Sequence, residues 1–165
     1  MTTSQSDITE NYYIWPALLA ILNFCVLLPA GLIYMSHTAE LWDYIFVAAG
    51  CYFAMKFVRY VSKAHQYKEA RIDPKYATEI IDKGIYKSVR HPVAAGVLYM
   101  NVAYVLLFRA MLLIPMVPVF FALWVALAQH KDNLMIEKFG DNYRDYMERT
   151  PMFRGGSEHS GYEMY

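Results

Sequence analysis

Residues 14–35 contain no charged side chain, and nothing else in the chain narrows its fold so sharply. A bilayer-spanning helix needs roughly 20 mostly apolar residues, and this run supplies them. A second run, 41–61, is apolar except for Asp43 near one end and Lys56 and Arg59 near the other. Residues 92–129 are uncharged apart from Arg109, which divides them in two. A water-soluble chain would have to bury four helices that are apolar all round, yet 57% of its residues are hydrophobic and only 18% charged. Helices of that kind belong in a large core or a membrane. The expectation is one all-α, polytopic membrane domain with about four transmembrane helices in two hairpins, 14–61 and 92–129. A cytoplasmic loop, 62–91, joins them, and a cytoplasmic tail, 130–153, carries an amphipathic C-terminal helix.

Charge placement orients this arrangement. Residues 62–90 hold Lys63, Lys68, Arg71, Lys75, Lys83, Lys87 and Arg90, and the tail adds Lys131, Lys138, Arg144, Arg149 and Arg154. The connection 36–40 has neither Lys nor Arg. Cytoplasmic loops carry the excess of positive charge, so the loop, the tail and, with four spans, both termini are expected in the cytoplasm. Residues 1–13 carry Asp7 and Glu10 but no Lys or Arg, which argues against a secretory signal; their start is expected to be poorly ordered, and 155–165 to be a mobile tail. Cys25 and Cys51 fall inside apolar runs, give no metal-ligand spacing, and read as small packing residues.

Local punctuation refines the elements. Pro16 is tolerated early in a helix, whereas Pro29 is positioned to kink one. Residues 92–108 are short for a full span, predicting a tilted or partial crossing, and Pro115 and Pro118 predict an irregular start to the next helix. Residues 63–79 alternate charged and aromatic side chains around an Asp73-Pro74 turn, an amphipathic connection at the interface. In the tail, Leu134, Phe139, Tyr143 and Tyr146 can share one helical face, interrupted at Gly140 and ended by Pro151.

Two polar segments border the second hairpin. The first contains Gly84, Tyr86, Arg90, His91, Pro92 and then Gly96; the second contains Asp132, Leu134, Phe139, Gly140, Tyr143, Tyr146, Arg149 and Pro151. Taken singly, each has an ordinary structural reading. The first can be a turn, a headgroup anchor at Arg90 and a proline in the first turn of a helix; the second can be a solvated helix lying on the membrane.

Taken together and in this order, the two segments resemble the membrane-embedded methyltransferases typified by isoprenylcysteine carboxyl methyltransferase, with phospholipid N-methyltransferases as relatives. The resemblance covers roughly residues 80–153. It implies S-adenosylmethionine as cofactor, bound through Tyr86, Arg90, His91, Pro92, Gly96, Asp132, Tyr143 and Tyr146. Arg90 and His91 would meet its carboxylate, Asp132 its ammonium, and the tyrosines its adenine or sulfonium. Arg149 is implied as the catalytic residue, near the reacting group. The implied acceptor is lipophilic, such as an isoprenylcysteine-like carboxylate, with a phospholipid or a small amine or thiol as alternatives. A membrane scaffold without activity is a further alternative, and the bilayer rather than nucleic acid is the expected partner. Two positions depart from the pattern. Ala94 stands where the family usually has tyrosine, and Lys131 where it usually has the first of two glutamates. Membrane sterol reductases share a similar C-terminal architecture and bind a nicotinamide cofactor, but they are much longer chains with many more spans.

Overall fold

The computed structural model describes residues 14–36 and 40–153; the expectations for 1–13 and 155–165 lie outside them. The described chain is helical, with no strand among its elements. Helix α1 runs Ile14–Ile33, α2 Asp43–His65, α3 Pro92–Phe108, α4 Met116–Phe139 and α5 Asp141–Arg149. Short 3-10 turns at Glu69–Arg71, Pro74–Tyr76, Gly84–Lys87 and Met111–Leu113 lie between them.

Three segments, Ile14–Ile33, Asp43–His65 and Met111–Phe139, are long and apolar enough to cross a membrane. Their outward faces carry side chains such as Ile21, Leu32, Ile45, Met55 and Phe121, all exposed. Such a continuous apolar surface suits lipid and not water. Helix α3 has 17 residues, about 25 Å at 1.5 Å per residue, against a hydrocarbon core of roughly 30 Å. Cys25 and Cys51 are a correction to the packing role expected of them. Both are exposed on the outer surfaces of α1 and α2, because the helical period turns those positions away from the interior.

Helix α3 is the centre of the bundle. It packs most extensively on α2 and also touches α1 and α4. Small residues allow the approach: a Cβ added at Gly96 would stand 3.1 Å from Val61 Cγ2, and one at Gly50 2.7 Å from Leu107 Cγ. Close backbone approach of this kind drives helix association where the hydrophobic effect is weak. Two clusters fill the remaining interior. One gathers Leu27, Tyr104, Ala110, Leu113 and Phe120; the other gathers Ala94, Val97 and Trp124.

Ser36, Asp43 and Arg109 meet at one end of the bundle. Arg109 is left-handed at φ 52°, which turns the chain sharply out of α3. Its guanidinium pairs with Asp43 and donates to the Ser36 carbonyl, while Ser36 N donates to Phe108 O at 3.1 Å. A partly buried cation next to apolar surface is costly unless paired, and here it ties Ser36 and Asp43 to the end of α3. The irregular start expected around Pro115 is the 3-10 turn that precedes α4. Helix α4 does not stop with its apolar run at residue 129 but continues to Phe139. Gly140, at φ 58° and ψ −131°, then turns the chain into α5.

Candidate functional site

At the opposite end, the 3-10 turn Gly84–Lys87 leads into α3 through Val89, Arg90 and His91. Gly84 has φ +55°, and a Cβ there would stand 2.1 Å from the Tyr67 hydroxyl oxygen. Only glycine combines that backbone conformation with that approach. Tyr67 packs edge-on to Tyr86 with centroids 6.0 Å apart, and Tyr86 is buried against the tail. Pro92 begins α3, where a missing N–H is harmless. The two preceding amides are held by the tail: Arg90 N donates to Pro151 O at 3.0 Å and His91 N to Met152 O at 3.1 Å.

Helix α4 contributes Lys131 and Asp132, which the helical twist sends in different directions. Lys131 Nζ donates to the Ala70 carbonyl at 3.1 Å, holding the loop 69–81 over the site. Asp132 is 2% exposed, and its Oδ1 accepts from His91 Nε2 at 2.9 Å and from the Tyr143 hydroxyl at 2.6 Å. Helix α5 presents Tyr143 and Tyr146 three positions apart, on its buried face. The Tyr146 hydroxyl donates to the Tyr86 carbonyl at 2.7 Å. Of the face expected in the tail, Phe139, Tyr143 and Tyr146 pack together with Met135 and Ala77, whereas Leu134 lies outside that cluster.

Arg90 is the least satisfied member. Its Nη2 lies 3.6 Å from Asp132 Oδ2, longer than a hydrogen bond. Its Nε and Nη1 are buried with no protein partner, and Asp132 Oδ2 accepts no hydrogen bond. Unpaired buried donors on a cation are expensive. A guanidinium so placed favours an anion with two oxygens.

Burial, outweighing the hydrogen bond to Asp132, lowers the His91 pKa below 6.5, and Lys131 and Arg90 push the same way. The imidazole is then neutral near pH 7; Nε2–H donates to Asp132 and Nδ1 is left as the basic atom. Burial raises the phenol pKa of Tyr143, reinforced by Asp132, and burial raises that of Tyr146. Both remain hydrogen-bond donors.

Two clefts meet at these residues. One opens to solvent and has a mixed lining, with Glu69, Glu79, Tyr143 and Tyr146 beside Ile72, Ile80, Ile81 and Met135. The other is mainly apolar and is lined by Pro16, Pro92, Ala94, Trp124 and Leu127. Tyr86, Arg90, His91 and Lys131 form a wall common to both. From Leu127 an open apolar groove continues between α1 and α4, past Leu19, Leu22 and Leu123.

Six of the residues singled out from sequence thus come together: Tyr86, Arg90, His91, Asp132, Tyr143 and Tyr146. Pro92 lines the apolar cleft. Gly96 is elsewhere, on the α3 face against α2. Arg149 is exposed on α5, its Nε donating back to the Asp145 carbonyl at 3.1 Å, and it lines neither cleft. The contributions of Glu69, Glu79 and the cover 69–81 escape a reading by period, since three-residue 3-10 turns are too short to show one. The Asp73-Pro74 turn was their one signal, and Lys138 Nζ pins it through the Pro74 carbonyl at 3.1 Å. Searches against protein-family models, curated proteins and solved structures find no match to this chain.

Proposed function

We propose that this chain is an integral-membrane, S-adenosylmethionine-dependent methyltransferase acting on a lipophilic acceptor, with a carboxylate as the favoured nucleophile. The observation that carries the reading is the Arg90 guanidinium, buried with two unpaired nitrogens in a wall shared by a solvent-open cleft that bears Glu69 and Glu79 and a mainly apolar one. The residues present suit the cofactor. Arg90 matches its carboxylate, while Glu69, Glu79 and the open Oδ2 of Asp132 match its ammonium. When bound, S-adenosylmethionine supplies an electrophilic methyl group on a sulfonium.

The chain's own task is then alignment and exclusion of water. A carboxylate acceptor is ionised at neutral pH and needs no base, so rate comes from positioning and electrostatics. Lys131 faces the apolar cleft as a cation suited to that acceptor. The groove between α1 and α4 is suited to its hydrocarbon part. Ala94, where the family it resembles usually has tyrosine, leaves room beside Trp124. For an amine or thiol acceptor, as in a phospholipid or small-molecule methyltransferase, a proton must leave, and His91 Nδ1 is the candidate base. Arg149, exposed on α5, retains only an orienting role toward a bulky acceptor.

The same reading makes α1 to α4 four spans in two hairpins, α3 crossing as the short one. The basic end, the site and both termini then face the cytoplasm, in keeping with the charge bias. Calorimetric titration of the detergent-solubilised full chain with S-adenosylmethionine is the test. Saturable binding that weakens at least tenfold in Arg90→Ala is expected. No binding by folded wild-type protein would sink the proposal and favour a membrane scaffold.

A further inference from the structure

A second charged groove lies on the other side of the Gly84–Lys87 turn. Tyr86 points into the two clefts already described, whereas Ile85 and Ser88 face a wide recess against the last turns of α2. Lys56, Arg59 and Lys63 line that recess, and no Asp or Glu does. Their spacing of three and four residues places all three on one helical face, spread over about 10 Å at 1.5 Å per residue. Among the described residues, neither Arg59 nor Lys63 has an ion-pair partner.

Lys56 is the innermost cation. Its ammonium sits over the rings of Tyr52 and Tyr99, 5.0 and 4.9 Å from their centroids. A ring face holds a cation without neutralising it, so the charge stays available to an anion. Gln66, Ser88 and the tyrosine side chains add neutral donors around the recess. Beyond Lys56, toward the middle of α2, the outer surface becomes apolar through exposed Met55 and Tyr52 and then Ile45.

We infer that this groove binds the phosphate headgroup of an anionic phospholipid, its acyl chains lying along the outer face of α2. Three cations along one helical face, without a carboxylate, select an anion. The apolar strip running from the innermost cation selects one with a hydrocarbon tail over a soluble phosphate. Basic pockets beside transmembrane helices meet the negative surface potential of the cytoplasmic leaflet in this way. The inference does not rest on methyl transfer, because none of the three cations lines the clefts around Arg90.

The test uses the full chain in a neutral detergent, with bound lipid counted by native mass spectrometry and affinity read from titration. Dioleoylphosphatidylglycerol should bind at one tight site, and dioleoylphosphatidylcholine should not. Inorganic phosphate and glycerol 3-phosphate, at matched concentration, should compete poorly. Arg59→Gln/Lys63→Gln removes two exposed groove cations and should weaken the tight site roughly thirtyfold, at about fivefold per surface cation. Lys68→Gln/Lys87→Gln makes the same charge change outside the groove and should alter affinity less than about threefold on that scale. Equal binding of the two lipids would overturn the inference. So would equal weakening by the two double variants, which would mean diffuse attraction. Soluble phosphate binding as tightly as the lipid would overturn the lipid assignment.

Discussion

His91 and Asp132, 41 positions apart in sequence, meet at 2.9 Å in the interior of the site. Through that contact the entrance of α3 is tied to the end of α4, and Tyr143 adds α5 by bonding the same carboxylate oxygen. Three helices thus converge on one buried side chain.

Replacing Asp132 by asparagine should be severe. The carboxylate that accepts from His91 and Tyr143 would go, and Arg90 would be left a buried cation with no counter-charge. Breaking such a pair costs about 3 kcal/mol or more. A lower thermal midpoint in detergent, together with at least tenfold weaker S-adenosylmethionine binding, is expected. A midpoint equal to wild type would mean that the three helices do not depend on this carboxylate.

Stability should fall in mild acid, through His91. Its folded pKa lies below the ordinary 6.5, so between the two values the unfolded chain carries the additional proton. Stability therefore rises with pH in that window, is fully present above about 6.5, and is lost as pH drops below it. The slope is at most about 1.4 kcal/mol per pH unit. Thermal midpoints from pH 8 to 5.5 should show a steeper decline for wild type than for His91→Gln. A steeper decline in the variant would reverse the sign and imply a charged imidazole paired with Asp132.

Lys131→Met keeps the apolar stem but removes the bond to the Ala70 carbonyl. One hydrogen bond from a charged donor is worth about 1.5–3 kcal/mol. Because it fastens a loop and not the bundle, the loss should be local. Hydrogen exchange across residues 69–81 should speed up at least tenfold, with α2 and α3 unchanged. Unaltered exchange in that loop would show that Lys138 alone pins the cover.

Arg149→Ala should leave S-adenosylmethionine affinity within about twofold of wild type, since the side chain is exposed and bonds only its own helix. Calorimetry checks this directly. A larger loss would place the guanidinium over the cleft when cofactor binds. A fall in turnover at constant affinity would support a role toward the acceptor.

Much of the architecture was legible because lipid demands long uncharged runs: residues 14–35 became α1 at Ile14–Ile33. The end of α4 was not legible that way. Hydropathy stops at residue 129, yet the helix continues, since its backbone bonds are indifferent to whether Lys131 or Leu127 projects from them. The pairing of His91 with Asp132 was not legible: the resemblance put both residues in one site but on different groups of the cofactor, and neither segment announces the other by period. The same segments placed Gly96 among site residues, whereas its hydrogen-sized side chain serves the contact with α2. Cys25 and Cys51 were misjudged for a simpler reason: in a membrane, an apolar residue need not face inward.

The bonds from Arg90 N to Pro151 O and from His91 N to Met152 O have a consequence for the order of biosynthesis. Arg90 and His91 leave the ribosome about sixty residues before the carbonyls that hold them. Until Met152 has been made and has reached the membrane surface, α3 begins with its motif unclasped. The site is therefore closed late, after the helices around it, and a nascent chain halted before Pro151 would carry every charged group of the site without its final clasp.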